Sequence, residues 1–324
     1  MYGKGLALAC VPLYPCGDRF VPRGYREDPY SVEQKLELIA GLGDVTGVEL
    51  SYPAEFEDPA PMAAILKRLG LKACNLEVEI FGAPKWKYGS LSSRDDTVRN
   101  EAIRLACRCL DAAAALGCDQ ISLWPGQDGF DYPMQVNYRA AWDRLVDAVR
   151  EIAAYRPEVR IAIEYKIKEP RTHIHLATVG KTLLVALEVK AANVGVLIDI
   201  GHALMAYENM AESAVLANRH GKLYHLHLND NYRSWDDDMI VGSVHSWETF
   251  ELFYTLKEIG YNGWYSLDIF PYREDSLPVI CANLDMVKRL VAAAHRADRA
   301  AIAELQRKND AVGMMELLRQ ELLR

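Results

Sequence analysis

The chain has 324 residues, with 37 Lys and Arg against 45 Asp and Glu, for a formal net charge of −8. That balance leaves no basic footprint for nucleic acid or an anionic membrane surface, and a half-hydrophobic, quarter-charged composition excludes a disordered or fibrous chain. The length exceeds the roughly 100–150 residues of the commonest domain, so it implies either two domains or one closed α/β barrel of about 250 residues with an extension.

Short β-rich apolar runs alternate with amphipathic stretches along the chain. The predicted strands are 5–11, 46–51, 72–80, 119–124, 159–165, 194–200, 222–228 and 264–270. The predicted helices are 31–42, 58–69, 95–116, 136–155, 178–191, 208–219, 246–259 and 277–297. Gly70, Gly117, Gly221 and Gly260 stand where helices would end. Eight strand–helix pairs predict an α/β fold, a (β/α)8 TIM barrel over residues 1–298. A doubly wound sheet usually has fewer strands and an early Gly-rich phosphate turn, whereas the first strand here runs into Val11-Pro12-Leu13-Tyr14-Pro15. Residues 299–324, rich in Ala, Leu, Arg and Glu, read as a C-terminal helical extension that packs on its own barrel or on another subunit.

The seven cysteines (10, 16, 74, 107, 109, 118 and 281) are scattered and form no C-x-x-C pair. In a chain of this length they predict reduced thiols and a cytoplasmic setting. The N-terminus lacks a signal-peptide pattern, and no stretch approaches the roughly 18 apolar residues of a membrane span.

Chemistry in such a barrel sits at the C-terminal ends of the strands. The last four predicted strands each bring a carboxylate or an imidazole there: Glu164, Asp199, His227 and Asp268. They lie about one strand–helix repeat apart, so they are neighbours around the mouth. Three carboxylates and one imidazole make a hard site suited to Mn²⁺, Mg²⁺ or Co²⁺, and such a set crowded together needs a cation. A second set follows. His202 lies just past the sixth strand, and the loop after the seventh carries Asp236-Asp237-Asp238. His202, Asp236 and Asp238 are placed to hold a second divalent ion, and paired metals can clamp two oxygens of one substrate.

These residues resemble the xylose isomerase-like TIM barrels, and within them the L-rhamnose isomerase branch. The carriers are Glu164-x-Lys166, Asp199-x-Gly201-His202, His227-x-Asn229-Asp230 with the Asp run after it, and Asp268. Leu123-Trp124-x-Gly126-Gln127-Asp128-Gly129 looks like the tryptophan-bearing sugar-pocket segment. The resemblance covers roughly residues 5–297. It implies a metal-dependent aldose–ketose isomerase acting on a small unphosphorylated sugar, by hydride shift or through an enediolate. Glu164, Lys166 and Asp268 would be catalytic, and Trp124, Lys166, His202 and Phe270 would contact the substrate. It also implies one or two Mn²⁺ ions per subunit and a homodimer or homotetramer.

The sequence also departs from those relatives: it has no histidine before His173, so the His-Asp pair that opens the sugar ring in xylose isomerases is missing from the early strands, its termini are shorter than those of the rhamnose isomerase branch, and its Asp run lies slightly farther from His227. No Arg cluster marks a sugar-phosphate site; Arg171, Arg233 and Arg273 stand singly near the mouth. Tyr14, Phe20, Phe56, Trp86 and Tyr88 are candidate wall residues. Two further enzymes share the metal-enolate chemistry, a ketose 3-epimerase and a keto-sugar lyase or dehydratase. A metal-stabilised sugar-binding protein is the non-enzymatic reading.

Overall fold

The computed structural model describes residues 3–27 and 30–322. Eight parallel strands close into a barrel: β1 (Gly5–Ala9), β2 (Val45–Tyr52), β3 (Lys72–Val78), β4 (Gln120–Leu123), β5 (Arg160–Glu164), β6 (Val194–Asp199), β7 (Leu223–Leu228) and β8 (Trp264–Leu267). Each pairs with its sequence neighbours, and β1 pairs with β8 to close the ring. Helices α1 (Val32–Gly41), α2 (Pro59–Leu69), α3 (Asp96–Leu116), α4 (Tyr138–Tyr155), α5 (Val179–Glu188), α6 (Ile200–Met205), α7 (Met210–Arg219), α8 (Ser246–Glu258) and α9 (Ser276–Arg296) connect and surround them. The expected α/β class and (β/α)8 barrel are therefore present. The element ends differ from the expected ones by a residue or two, and by up to three where strands or helices stop short.

Local chemistry explains these boundaries. Ser31 and Gln34 close a capping box at α1, and Asp95 accepts the Thr97 and Val98 amides at α3. Gly70 and Gly117 end α2 and α3 in the left-handed conformation, as their positions predicted. The first strand stops at Ala9 because the chain turns into a 3-10 segment, Val11–Leu13, with Pro12 inside it. The sixth strand stops at Asp199 because its side chain accepts the His202 amide and starts α6, a helix that the apolar run concealed. Two-residue strands, Gly129–Phe130 and His173–Ile174, pair antiparallel above the barrel. The extension forms α10 (Arg299–Lys308) and α11 (Ala311–Leu322). They fold back on the chain's own helices: Arg299 meets Glu258 at 2.7 Å, and Met314, Leu317 and Leu318 pack against the core.

Alternation along each strand sorts the side chains. Leu8, Val48, Leu50, Leu76, Ile121, Ile161, Val196, Ile198 and Leu226 are buried in one continuous core with the helices. Each such residue contributes roughly 1.5–3 kcal/mol relative to exposure. Ala7, Cys74 and Trp264 form a small separate cluster. Trp264 fits because Gly47 has no side chain; a Cβ there would lie 2.7 Å from the indole. The other strand positions carry polar groups, and these build the site.

Candidate active site

A cavity of about 650 Å³ opens at the C-terminal ends of the strands. Glu164, Lys166, His202, His227, Asp236, Asp238, Asp268, Trp124 and Phe270 all line it. Asp199 lies fully buried beneath them.

Glu164, Asp199, His227 and Asp268 each bring one ligand atom into a group whose members all lie within 4.8 Å of one another. His227 Nδ1 sits 3.2 Å from Asp268 Oδ2, 3.7 Å from Glu164 Oε1 and 3.9 Å from Asp199 Oδ2. A second group joins Asp199, His202 and Asp236. His202 Nε2 lies 3.0 Å from Asp236 Oδ2, and His202 Nδ1 lies 3.1 Å from Glu164 Oε1. Asp199 thus belongs to both groups. Asp238, expected beside His202 and Asp236, stands outside the second group. Its carboxylate accepts the Asn229 amide at 3.1 Å, and the same NH2 holds Asp199 at 2.8 Å. Asp230 turns away altogether, accepting the Val244 and His245 amides and His245 Nδ1.

The buried polar atoms here without a hydrogen-bond partner in good geometry include His202 Nδ1, His227 Nδ1 and Asp236 Oδ1. Unsatisfied buried groups cost about 1–3 kcal/mol each unless something fills the gap. Imidazole nitrogens and carboxylate oxygens aimed at common points fit a hard divalent cation. Electrostatics agree. Burial, reinforced by Asp236, Glu164 and Asp268, pushes the Asp199 carboxyl up to about 7 against the pull of His202. Burial with Asp236, Asp268 and Asp199 likewise raises Asp238 well above the usual carboxylate range. Burial opposes the charge on His202 and His227, but the carboxylates around them outweigh it and raise both imidazoles well above their ordinary range.

Lys166 crosses the mouth. Its Nζ is 2.7 Å from Asp236 Oδ2, 2.8 Å from Glu169 Oε2 and 5.3 Å from the Trp124 ring centre. Burial opposes its charge, but Asp236 and Glu169 hold it above the ordinary lysine range. Phe81 meets Trp124 edge-on at 4.6 Å, so the two form one aromatic wall.

Several residues here were not expected. Glu49 on β2 is buried and accepts His225 Nε2 at 2.8 Å, His227 Nε2 at 3.1 Å and the Asn75 amide at 2.7 Å. A carboxylate behind a histidine in this way sets which ring nitrogen is free, here Nδ1 of His227. Burial works against the Glu49 charge, and the His227 and His225 rings outweigh it, holding the carboxyl well below its usual range. Glu77 and Glu79 on the β3 side, Phe81 and Tyr272 also line the cavity. An acid inside a barrel strand, such as Glu49 or Glu77, is a costly placement that could have marked them, but their apolar neighbours average it away. Gly201 has a role as well, since a Cβ there would stand 2.3 Å from Asn229 Oδ1.

Among the candidate wall residues, Tyr14 lines the cavity, and its hydroxyl donates to Glu55. Trp86 is instead buried in the core, Phe56 packs edge-on against Tyr52, and Phe20 and Tyr88 face solvent. The three arginines are not among the lining residues. Arg171 pairs with Asp131, Arg233 contacts His245 and Glu248, and Arg273 reaches out to Tyr25. All seven cysteines are free, five of them buried. Among the described residues no helix is long and apolar enough to cross a membrane.

Residues 36–290 match the family model for the xylose isomerase-like TIM barrel. The chain is 30 % identical over 250 residues to the xylose isomerase of Thermus thermophilus. That match takes in 74 % of this chain and 65 % of the relative's length. A probable sugar isomerase of Rhizobium meliloti is 28 % identical over 97 % of this chain and 76 % of its own. Among solved structures, an L-ribulose 3-epimerase superposes with a TM-score of 0.71 over 90 % of this chain and 96 % of that one, at 16 % identity, a likeness of fold. With the closed eight-stranded barrel and the extent of the family match, this chain belongs to the xylose isomerase-like TIM barrel family.

Proposed function

We propose that the protein is a metal-dependent aldose–ketose isomerase acting on a small unphosphorylated sugar. The observation that carries this reading is the pair of ligand groups that share Asp199 beneath one cavity, with Lys166 at its edge. Glu164, Asp199, His227 and Asp268 would hold one divalent ion, and His202 and Asp236 with Asp199 a second, Mn²⁺ being the first choice and Mg²⁺ or Co²⁺ the alternatives. Ions held there would supply Lewis-acid polarisation of a carbonyl and its neighbouring hydroxyl.

The chain's own residues do the rest. Lys166 donates to the sugar oxygen on which negative charge develops, from a position that Asp236 and Glu169 already fix. Trp124, Phe81 and Phe270 wall the carbon face where hydrogen passes between C1 and C2, and they keep water from it. The proton of the C2 hydroxyl must pass to O1 whichever way the carbon-bound hydrogen moves; moving as hydride, that hydrogen needs no base of its own. Should it travel as a proton, Glu164 and Asp268 are the carboxylates at hand to carry it. Lys166 is the one Lys or Arg among the described residues lining the cavity, and two acids neutralise it. A cavity so acidic disfavours phosphorylated and uronic sugars, and its size suits a free pentose or hexose.

The proposal includes a cytoplasmic homodimer or homotetramer, which light scattering would measure. A panel of free aldoses and ketoses, followed by NMR with Mn²⁺ and with EDTA, tests the reaction. Aldose–ketose exchange that EDTA abolishes is the expected result. Inversion at C3 without aldose formation means a ketose 3-epimerase, and sugar binding without turnover means a binding protein. Full turnover in Lys166→Ala refutes the role given to that lysine.

A further inference from the structure

Aldoses of five and six carbons rest as cyclic hemiacetals, so exchange of hydrogen between C1 and C2 must wait for the ring to open. Opening takes a proton off the anomeric hydroxyl and puts one on the ring oxygen. With no histidine before His173, the β1–β4 half of the mouth must supply any such group from its carboxyls. Four carboxyls line the cavity on that side: Glu49, Glu55, Glu77 and Glu79. Three hold a backbone amide or an imidazole. Glu49 holds His225, His227 and Asn75. Glu55 accepts the Tyr14 hydroxyl at 2.9 Å and the Ser51 amide at 2.8 Å. Glu79 accepts the Gly82 amide at 2.8 Å and shapes that turn. Glu77 has a single partner, the Ser51 hydroxyl at 3.1 Å, and among the described residues it pairs with no cation.

We propose that Glu77 opens the sugar ring, a role that rests on the isomerase reading above. One oxygen of its carboxyl gives a proton to the ring oxygen as the bond from that oxygen to C1 breaks. The other oxygen takes the proton of the anomeric hydroxyl as the C1 carbonyl forms. Glu77 ends protonated, as it began, and no electron or net proton is exchanged with solvent. The geometry suits this, because the two oxygens of a carboxyl are spaced much like the two oxygens on an anomeric carbon. Ser51 anchors one carboxyl oxygen without using up its second lone pair. Burial favours the neutral carboxyl at Glu77, the form that can donate.

The experiment measures interconversion of the α and β anomers of the aldose by NMR exchange, in the Mn²⁺-loaded enzyme and in Glu77→Gln. The wild type is expected to accelerate anomer exchange, and the variant to lose about 100-fold or more of that acceleration. Glyceraldehyde, whose three carbons cannot close such a ring, should lose far less in the variant than the cyclic sugar does. Ser51→Ala should weaken anomer exchange in the same sense but less. Equal loss on glyceraldehyde and on the cyclic sugar in Glu77→Gln would overturn the proposal, as would undiminished anomer exchange in that variant or none in the wild type. Acceleration of anomer exchange by the wild type without isomerisation, lost in Glu77→Gln, supports the inference and counts against the isomerase reading alone.

Discussion

Glu49→Gln changes one atom and isolates the buried carboxylate's role. Glu49 accepts three hydrogen bonds, from Asn75, His225 and His227, at 2.7, 2.8 and 3.1 Å. A glutamine amide offers one acceptor oxygen and turns a donor toward the other imidazole. One ring must then move its proton to Nδ1 or stand opposite a like donor. If His227 is that ring, it loses the Nδ1 lone pair it would offer to an ion beside Glu164, Asp199 and Asp268. Loss of such an orienting partner costs about 10–100-fold in metal affinity, or roughly 1.4–2.8 kcal/mol. One buried unsatisfied group also lowers folding stability by about 1–3 kcal/mol. Calorimetric titration of Mn²⁺ into the folded variant measures the first effect, and urea unfolding the second. Mn²⁺ affinity within about two-fold of wild type in a folded Glu49→Gln would refute the reasoning.

Other outcomes follow from the same geometry. Gly201→Ala drives a Cβ into Asn229, whose amide holds Asp199 and Asp238; it should cost about 1–3 kcal/mol in urea unfolding and weaken Mn²⁺ binding, and an unchanged protein would show that this close approach is not required. Mn²⁺ must displace protons from His202, His227 and Asp199, the last raised to about 7, so affinity should rise with pH from about 6 to 8 with net proton release. Titrations in buffers of different ionisation enthalpy read that release, and a pH-independent affinity would contradict it. With iodoacetamide at mildly alkaline pH the exposed Cys281 should label first, because five of the others are buried, with Cys16 pushed up to about 11 and Cys118 up to about 12, and Cys107 is half-buried with its thiol raised by burial. Mass spectrometry of Cys281→Ser should show that fast adduct gone.

The barrel was legible because each strand is a short apolar run and several helices carry a cap of their own; Ser31, Asp95 and Gly117 mark boundaries that local chemistry specifies. The C-terminal half of the site was legible for a related reason: Glu164, Asp199, His227 and Asp268 stand at strand ends, where an acid or imidazole interrupts an apolar run. Glu49 and Glu77 were hidden because they sit inside strands, and a run such as Val48-Glu49-Leu50 reads as apolar when averaged. Helix α6 was hidden because Ile200-Gly201-His202 continues the apolar pattern of β6, while the cap that starts the helix is itself a member of both ligand groups. Asp238 could not be told from Asp236, because which carboxylate turns toward His202 depends on Asn229, nine residues from Asp238 and bonded to it across the loop.

The bond from Glu49 to His227 runs between residues 178 positions apart, on strands separated by β1 and β8. It is a chord across the ring rather than a rung along it. Every residue of the two ligand groups comes from β5 onward, whereas the chord's acceptor and Glu77 come from β2 and β3. The two half-barrels are therefore chemically unequal, one holding the ligands and the other aiming them. A C-terminal half-barrel expressed alone would carry the whole ligand set with nothing to choose the tautomer of His227. Assembly of a working centre has to await closure of the ring.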